Sequence, residues 1–385
     1  MNKLESLWYS RRALTVFLIP LSWIFSFIVF VRRKAYKNGI FAVYHFDIPV
    51  IVVGNITAGG SGKTPLVIWL ANFLRKAGYS PAVVARGYKG EARNWPQQVR
   101  PDSDPVVVGD EAVLLAKRCQ CPVAVGPDRV EAVRGILKYH ACDIIISDDG
   151  LQYYALGRDI EIAVVDGVRR FGNGYCLPAG PLREPVSRHN EVDFVVVNGG
   201  SVMRQEYSMA LVPGQMHNLR NEMVTQHPDA FRNRTVHALA GIGNPDRFFS
   251  YLKRLGIKVV AHPFADHHLY SAGDIQFGDD FPVIMTEKDA VKCRRFADDK
   301  CWYMTVDAQP DRRVGERTLM LIKRLSQKTM VPGASLCQRP LQYRDNLFRV
   351  SKSVDRGNSW IKNYSIFLPV LYARVPCFIR KQNRN

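Results

Sequence analysis

Hydrophobic positions fall into one long uninterrupted block and then many short ones. Residues 13–31 (ALTVFLIPLSWIFSFIVFV) run 19 positions without a charge. As a helix the block would be about 28 Å long, close to the roughly 30 Å hydrocarbon core of a bilayer. Pro20 lies inside it, which membrane helices tolerate. Arg11 and Arg12 precede the block, and Arg32, Arg33, Lys34 and Lys37 follow it. Basic residues where a small-residue cleavage site should stand argue against a signal peptide. A buried core helix is the alternative to a membrane anchor, which this pattern fits better. The larger basic cluster on the C-terminal flank favours a body in the cytosol, with the helix either spanning the bilayer or lying in one leaflet.

The short blocks that follow are β-branched and bounded by turn residues. Residues 47–53 (DIPVIVV), 82–85, 105–108, 122–125, 143–147, 160–166 and 193–198 each predict a buried strand. Helical periodicity fills several intervals: Leu66, Val67, Trp69, Leu70, Phe73 and Leu74 up to Gly78, then 111–118 and 129–139. Strand and helix in alternation predict a parallel sheet covered on both faces, with ligands at the carboxyl ends of its strands. A second alternating section begins near Thr235, with strands at 236–240, 257–260 and 283–285 and a helix from Asn244 to Leu255.

Charge changes this picture only at the ends. The net charge is +18, from 53 Lys and Arg against 35 Asp and Glu. Residues 1–40 hold +6, residues 331–385 hold +8, and the long middle holds only +4. A nucleic-acid enzyme would carry its basic stripe across the body, so no nucleic-acid partner is expected. The eight cysteines form no CxxC pair, which leaves free thiols in a reducing compartment as the default.

The strand at 47–53 runs into Gly54-Asn55-Ile56-Thr57-Ala58-Gly59-Gly60-Ser61-Gly62-Lys63-Thr64 and then into the first helical pattern. That is the setting of a phosphate-binding loop, with backbone N–H groups and a helix N-terminus turned on the phosphates. Thr57, Ala58, Gly59, Gly60, Ser61, Gly62, Lys63 and Thr64 are the expected nucleotide cradle. Lys63 would reach the β- and γ-phosphates, and the Thr64 hydroxyl would ligate Mg²⁺. Thr57 stands where the generic loop has its first Gly. Further strand tips carry acids: Asp110 and Glu111, Asp148 and Asp149, and Asp166. The segment CDIIISDD has the form of a strand delivering a Mg²⁺-holding carboxylate, whereas Asp166 reads more simply as a turn cap. Residues 171–185 form a long loop, flanked by Arg169, Arg170, Arg183 and Arg188. His262, His267 and His268 lack zinc-ligand spacing, and an Asp-His pair at a loop suits proton handling.

These segments together resemble the tetraacyldisaccharide 4'-kinase (lipid A 4'-kinase) family. The resemblance is carried by GNITAGGSGKTP at 54–65, RGY at 86–88, GDE at 109–111, GPDR at 126–129, DDGLQ at 148–152 and RD at 158–159. It continues through LPAGPLREP at 177–185, GIGNPDRFF at 241–249, DHH at 266–268 and TEKDAVK at 286–292. The family also carries Thr at the position of Thr57. It usually has His where this chain has Tyr153, and it ends near residue 325, short of the basic tail.

The resemblance implies a P-loop NTPase-like α/β kinase with a second, smaller α/β lobe and an N-terminal membrane helix. The expected division is an anchor at 1–40, a kinase core at 41–205, a C-terminal lobe at 206–330 and a basic tail at 331–385 that is either disordered or a second membrane contact. The implied reaction moves the ATP γ-phosphate to the 4'-hydroxyl of a tetraacyldisaccharide 1-phosphate, giving the lipid A precursor lipid IVA. It implies a place at the bacterial inner membrane, on its cytoplasmic face. The implied roles are Thr64, Asp148 and Asp149 for the metal ion and Asp110 as the base. His267, rather than His268, would orient Asp110. Glu111 would support the metal or its water shell, and Arg129 would stabilise phosphate charge. The competing readings are a membrane-anchored nucleotide switch without a lipid acceptor and an assembly protein that binds ATP structurally.

Overall fold

A computed structural model describes residues 8–9 and 14–329. The expectation of a disordered tail at 331–385 lies outside the described residues. Helix α1 (Leu14–Lys37) contains a segment with mean hydropathy 2.0 that is long and apolar enough to cross a membrane. Only 11% of that apolar window is buried, and Phe17, Trp23 and Phe27 are 80%, 66% and 66% exposed. A core helix would be covered on most of its surface, so the alternative of a buried helix does not hold. What ties α1 to the body is local. The Ser22 hydroxyl donates to the Cys176 carbonyl at 2.7 Å, and Arg33 and Lys37 reach Glu191.

The body is built on one sheet. In chain order its strands are β1 (Val50–Gly54), β2 (Pro81–Ala85), β3 (Gln97–Val99), β4 (Val123–Val125), β5 (Ile144–Asp148), β6 (Ile160–Asp166) and β7 (Phe194–Asn198). They continue with β8 (Glu206–Asn218), β9 (Thr225–Gln226), β10 (Thr235–Ala240), β11 (Lys258–Pro263), β12 (Val283–Thr286) and β13 (Cys301–Pro310). The spatial order is β11-β10-β12-β13-β8-β7-β6-β1-β5-β2-β4-β3, with β9 paired to β8. β1, β2, β5 and β7 are buried at every position, as expected of strands covered on both faces.

Alternate residues of β1 enter two separate cores, Ile51 and Val53 on one face and Val50 and Val52 on the other. Helix α2 (Lys63–Lys76) fills the first core with Leu66, Val67, Leu70 and Leu74. Helices α3 (Asp110–Cys119) and α4 (Arg129–Tyr139) cover the sheet on opposite faces. The second section repeats the arrangement, with Val236 and Ala238 of β10 in one core and Leu239 in the other. The expected lobe boundary near residue 205 does not interrupt the sheet: β7 pairs in parallel with β8, and β8 then pairs antiparallel with β13.

One expected strand is corrected. Residues Pro105–Val108 form a single helical turn. The Asp104 carboxylate accepts from the Val106 N–H at 2.9 Å, and Pro105 takes the first helical position. That cap and proline outweigh three valines in a row, of which only Val108 is buried.

Beside the future site, the ends of β6 and β7 meet back to back. Gly167 N–H donates to the Asn198 carbonyl at 3.0 Å, and a side-chain carbon on Gly167 would lie 1.7 Å from the Gly199 carbonyl oxygen. Backbone faces backbone there, so no side chain can give way. Gly167→Ala is expected to cost about 2–3 kcal/mol, read as a lower urea midpoint; an unchanged midpoint would mean the corner opens freely.

Candidate active site

The parallel register sets Val53 opposite Asp148, so the tip of β5 delivers its carboxylate to the start of the Gly-rich loop after β1. The Asn55 amide donates to Thr57 Oγ1 at 3.4 Å and to the Gly59 carbonyl at 3.3 Å, bracing the loop from inside. Ala58 N–H donates to the Pro181 carbonyl and Arg183 N–H to the Ile56 carbonyl, both at 2.7 Å, so the long loop at 171–185 folds onto the phosphate loop. Gly62 caps α2 at φ 93°, in the left-handed region. A side chain on it would meet the Asn198 amide at 2.7 Å, whereas side chains added at Gly59 and Gly60 would meet open space. The loop is therefore packed behind and open in front.

Around that opening, Ser61 Oγ, Asn55 Oδ1, Asn198 Oδ1 and Asp148 Oδ1 are buried without a hydrogen-bond partner among the described residues. Asp148 Oδ2 accepts from the Thr64 hydroxyl at 3.3 Å. Burial, with the negative charge of Glu111, pushes the Asp148 carboxyl up to about 7 despite Lys63. A buried, under-partnered carboxylate beside a hydroxyl is a hard-oxygen site in want of a cation, which fits Mg²⁺.

Asp149 is in the opposite state. Burial alone would raise it, but Lys63 at 3.7 Å and Arg183 at 3.0 Å hold its carboxyl well below the ordinary range. Its backbone sits at φ 50°, and its carbonyl accepts from Arg129 Nη2 at 2.9 Å. Arg129 is 5% exposed, with its guanidinium 5.0 Å from the Tyr153 ring centre. Tyr153 Oη donates to Asp128 at 2.8 Å, so the Tyr that departs from the family pattern builds the wall behind Arg129.

The second cluster lies at the N-terminus of α3. Asp110 is 5% exposed, and both its oxygens lie 3.0 Å from His267 Nδ1. His267 Nε2 lies 3.2 Å from Lys288 Nζ. An ammonium can only donate, so Nε2 is the acceptor and Nδ1 carries the proton given to Asp110. Both ring nitrogens are thereby engaged, and the carboxylate is the proton-accepting member of the pair. Burial would raise Asp110, but the His267 hydrogen bond and the charges of Lys288 and Lys292 hold it at about 2. Glu111 accepts from Lys288 at 3.0 Å. Its negative charge also acts on Asp148, which links the two clusters electrostatically.

Every expected site residue thus falls in or beside this site. His268 turns away, stacking on Phe264 and lying 3.5 Å from Asp274, while His262 pairs with His237. Asp166 caps the turn at Val168 and Arg169. Asn55, Lys288 and Lys292 lie inside the motifs at 54–65 and 286–292 without a role assigned by them, and Asn198 lies in none. Asn198 stands at a strand tip, the place where the sheet rule puts ligand-facing residues. Arg188, a candidate surface charge, is 2% exposed and bonded to Glu161.

Residues 14–324 match the family described as tetraacyldisaccharide-1-P 4'-kinase. The chain is 52% identical to the tetraacyldisaccharide 4'-kinase of Nitrosococcus oceani, over 84% of this chain and 95% of that protein. It is 47% identical to that of Methylobacillus flagellatus, over 84% of this chain and 97% of the relative. The structure of LpxK from Aquifex aeolicus in complex with ATP aligns with TM-score 0.69 at 26% identity, over 80% of this chain and 99% of that one. The match runs from the apolar helix through the phosphate loop and the Asp110–His267 pair, and the chain belongs to the tetraacyldisaccharide 4'-kinase family.

Proposed function

We propose that this protein transfers the γ-phosphate of ATP to the 4'-hydroxyl of a tetraacyldisaccharide 1-phosphate, producing lipid IVA. The observation that carries the reading is the meeting of two clusters. A phosphate loop with Lys63 and Thr64 stands at the tip of β1, and the Asp110–His267 pair, to which we assign proton removal, is linked to it by the charge of Glu111 on Asp148. A nucleotide switch would need the first cluster and not the second.

Residues 57–64 hold the ATP phosphates, with Lys63 moving from Asp149 to the β- and γ-oxygens. Thr64 and Asp148 would hold Mg²⁺, with Asp149 and Glu111 serving its water shell; the ion would neutralise charge on those oxygens. Arg129 and Arg183 fix Asp149 from two sides, and Arg129 adds positive charge toward the transferred group. Asp110, oriented by His267, accepts the proton of the attacking hydroxyl. Phosphoryl transfer is mostly positioning and charge stabilisation, so this set is sufficient in kind.

A lipid acceptor gives the apolar helix its purpose. We place the protein at the inner membrane with its body on the cytoplasmic face, supported by the basic residues after α1. The direct test is labelled ATP and the disaccharide 1-phosphate lipid in mixed micelles. A 4'-phosphorylated product is expected, and its absence with folded protein that binds ATP would leave the switch reading. Deleting residues 1–37 should shift the protein from the membrane pellet to the soluble fraction; full retention in the pellet would put the anchor elsewhere.

A further inference from the structure

A line of ring contacts and then hydrogen bonds runs from the membrane helix to the phosphate loop, and the catalytic roles above do not use it. It begins at the last turns of α1. The Tyr36 ring lies 5.8 Å from that of Tyr154, and the Arg32 guanidinium lies 5.9 Å and 5.8 Å from the two ring centres. The Tyr154 hydroxyl donates to Glu184 Oε2. Glu184 is 1% exposed, and its other oxygen accepts from Gln152 Nε2 at 2.7 Å. Gln152 Nε2 donates also to the Asn55 carbonyl at 3.0 Å. Both Gln152 partners are acceptors, so the amide orientation is fixed by the network. Asn55 in turn braces Thr57 and Gly59 of the loop.

A second arm reaches the same carboxylate. Arg33 and Lys37 of α1 grip Glu191 at the end of the 3-10 turn Val186–Glu191. Arg188 of that turn, 2% exposed, lies 3.6 Å from Glu184 Oε2 and 2.5 Å from Glu161. Two contacts from the helix thus converge on one buried carboxylate, and a single side chain, Gln152, carries the connection on to the phosphate loop. Burial and the charge of Glu184 both raise the Tyr154 phenol, so it stays a donor. Tyr154, Glu184 and Gln152 hold one another in a buried line, where a hydrogen bond is electrostatically stronger than in water.

We propose that Tyr154 is a positioning residue for ATP, setting the shape of the phosphate loop through Glu184 and Gln152 and making that shape depend on the seating of the membrane helix. The proposal rests on the kinase reading, since it takes the nucleotide at this loop to be ATP.

The test uses the full chain in detergent micelles and a non-hydrolysable ATP analogue, with affinity measured by calorimetry. Tyr154→Phe keeps the ring against Arg32 and Tyr36 and removes only the hydroxyl. It is expected to weaken analogue binding about tenfold, in line with a lost hydrogen bond to a charged group, with melting temperature and lipid KM unchanged. Tyr36→Ala, at the helix end, should weaken binding in the same direction. The double variant should be no weaker than the weaker single, because both act through one line. The proposal is overturned by Tyr154→Phe affinity within about twofold of the parent, or by multiplying effects in the double variant. Affinity lost only in step with a falling melting temperature would assign Tyr154 a structural role and equally overturn it. Analogue binding is read without a lipid acceptor. Failure of the relay therefore shows as unmoved affinity, and failure of the kinase reading as missing product in the parent chain.

Discussion

Asp110→Asn is expected to lower turnover by about 10²- to 10⁴-fold, the usual worth of a positioned acid or base, with ATP affinity near that of the parent. Asn keeps the shape and still accepts from His267 Nδ1, but it cannot take a proton. The parent carboxyl, held at about 2, is a weak base at equilibrium. That is tolerable here, because in a loose phosphoryl-transfer transition state the attacking hydroxyl forms little bond to phosphorus, and its proton leaves late. What the site supplies is a fixed, always ionised acceptor. Turnover should therefore show no acid limb belonging to Asp110 anywhere near neutrality. The stability consequence has a definite sign. The folded value of about 2 lies below the ordinary 3.8 of a free Asp, so Asp110 stabilises the fold above about pH 4. That contribution, about 2–3 kcal/mol by linkage, is lost as pH falls through about 2, and Asp110→Asn should lack it in acid unfolding. Steady-state kinetics at saturating ATP provide the main measurement. Retention of more than a tenth of parental turnover would remove Asp110 from the base role, and loss of ATP binding would move it to the nucleotide site.

The parts of this arrangement legible in the sequence are those whose physics is local. The loop after β1 reads from its glycines, and the α2 pattern and Asp148 read from the residues beside them. The long apolar block gave α1 in the same way. Asp104 and Pro105 could have been read as a helix start, but three valines argued for a strand and the cap prevailed. Strands β8 and β13 are not legible in the sequence for a different reason. β8 is buried at only some of its positions, without clean alternation, because it joins the two halves of the sheet. The pairing of Asp110 with His267, 157 positions apart, is invisible to any spacing rule. It came from the family resemblance, and the fold supplies the distance. The buried state of Glu184 and Arg188 could not be read either, since charged residues in a loop look alike in sequence whether solvated or paired.

Lys63→Met is expected to fail in a different way from Asp110→Asn, and the contrast separates the two clusters. Lys63 lies 3.7 Å from Asp149, 12% exposed, at the first position of α2 where the helix N-terminus adds its own positive end. Removing the ammonium takes away charge that meets the phosphates in the ground state and more strongly in the transition state. Turnover should fall about 10²- to 10³-fold, the scale for losing one preorganised donor, and ATP affinity should fall with it. Two further effects follow from the geometry. Asp149 loses one of the three cations that hold its carboxyl down, leaving Arg183 and Arg129. Half-buried negative charge then faces the incoming phosphates with less compensation, so the affinity loss should exceed that of the Lys63–phosphate attraction alone. Lys63→Arg should not restore turnover, because a planar fork is longer and cannot act as a compact point charge in a loop packed against Asn198. Parental ATP affinity in Lys63→Met would mean that the backbone cradle alone holds the nucleotide. Parental turnover in Lys63→Arg would show that only charge, and not its placement, matters at this position.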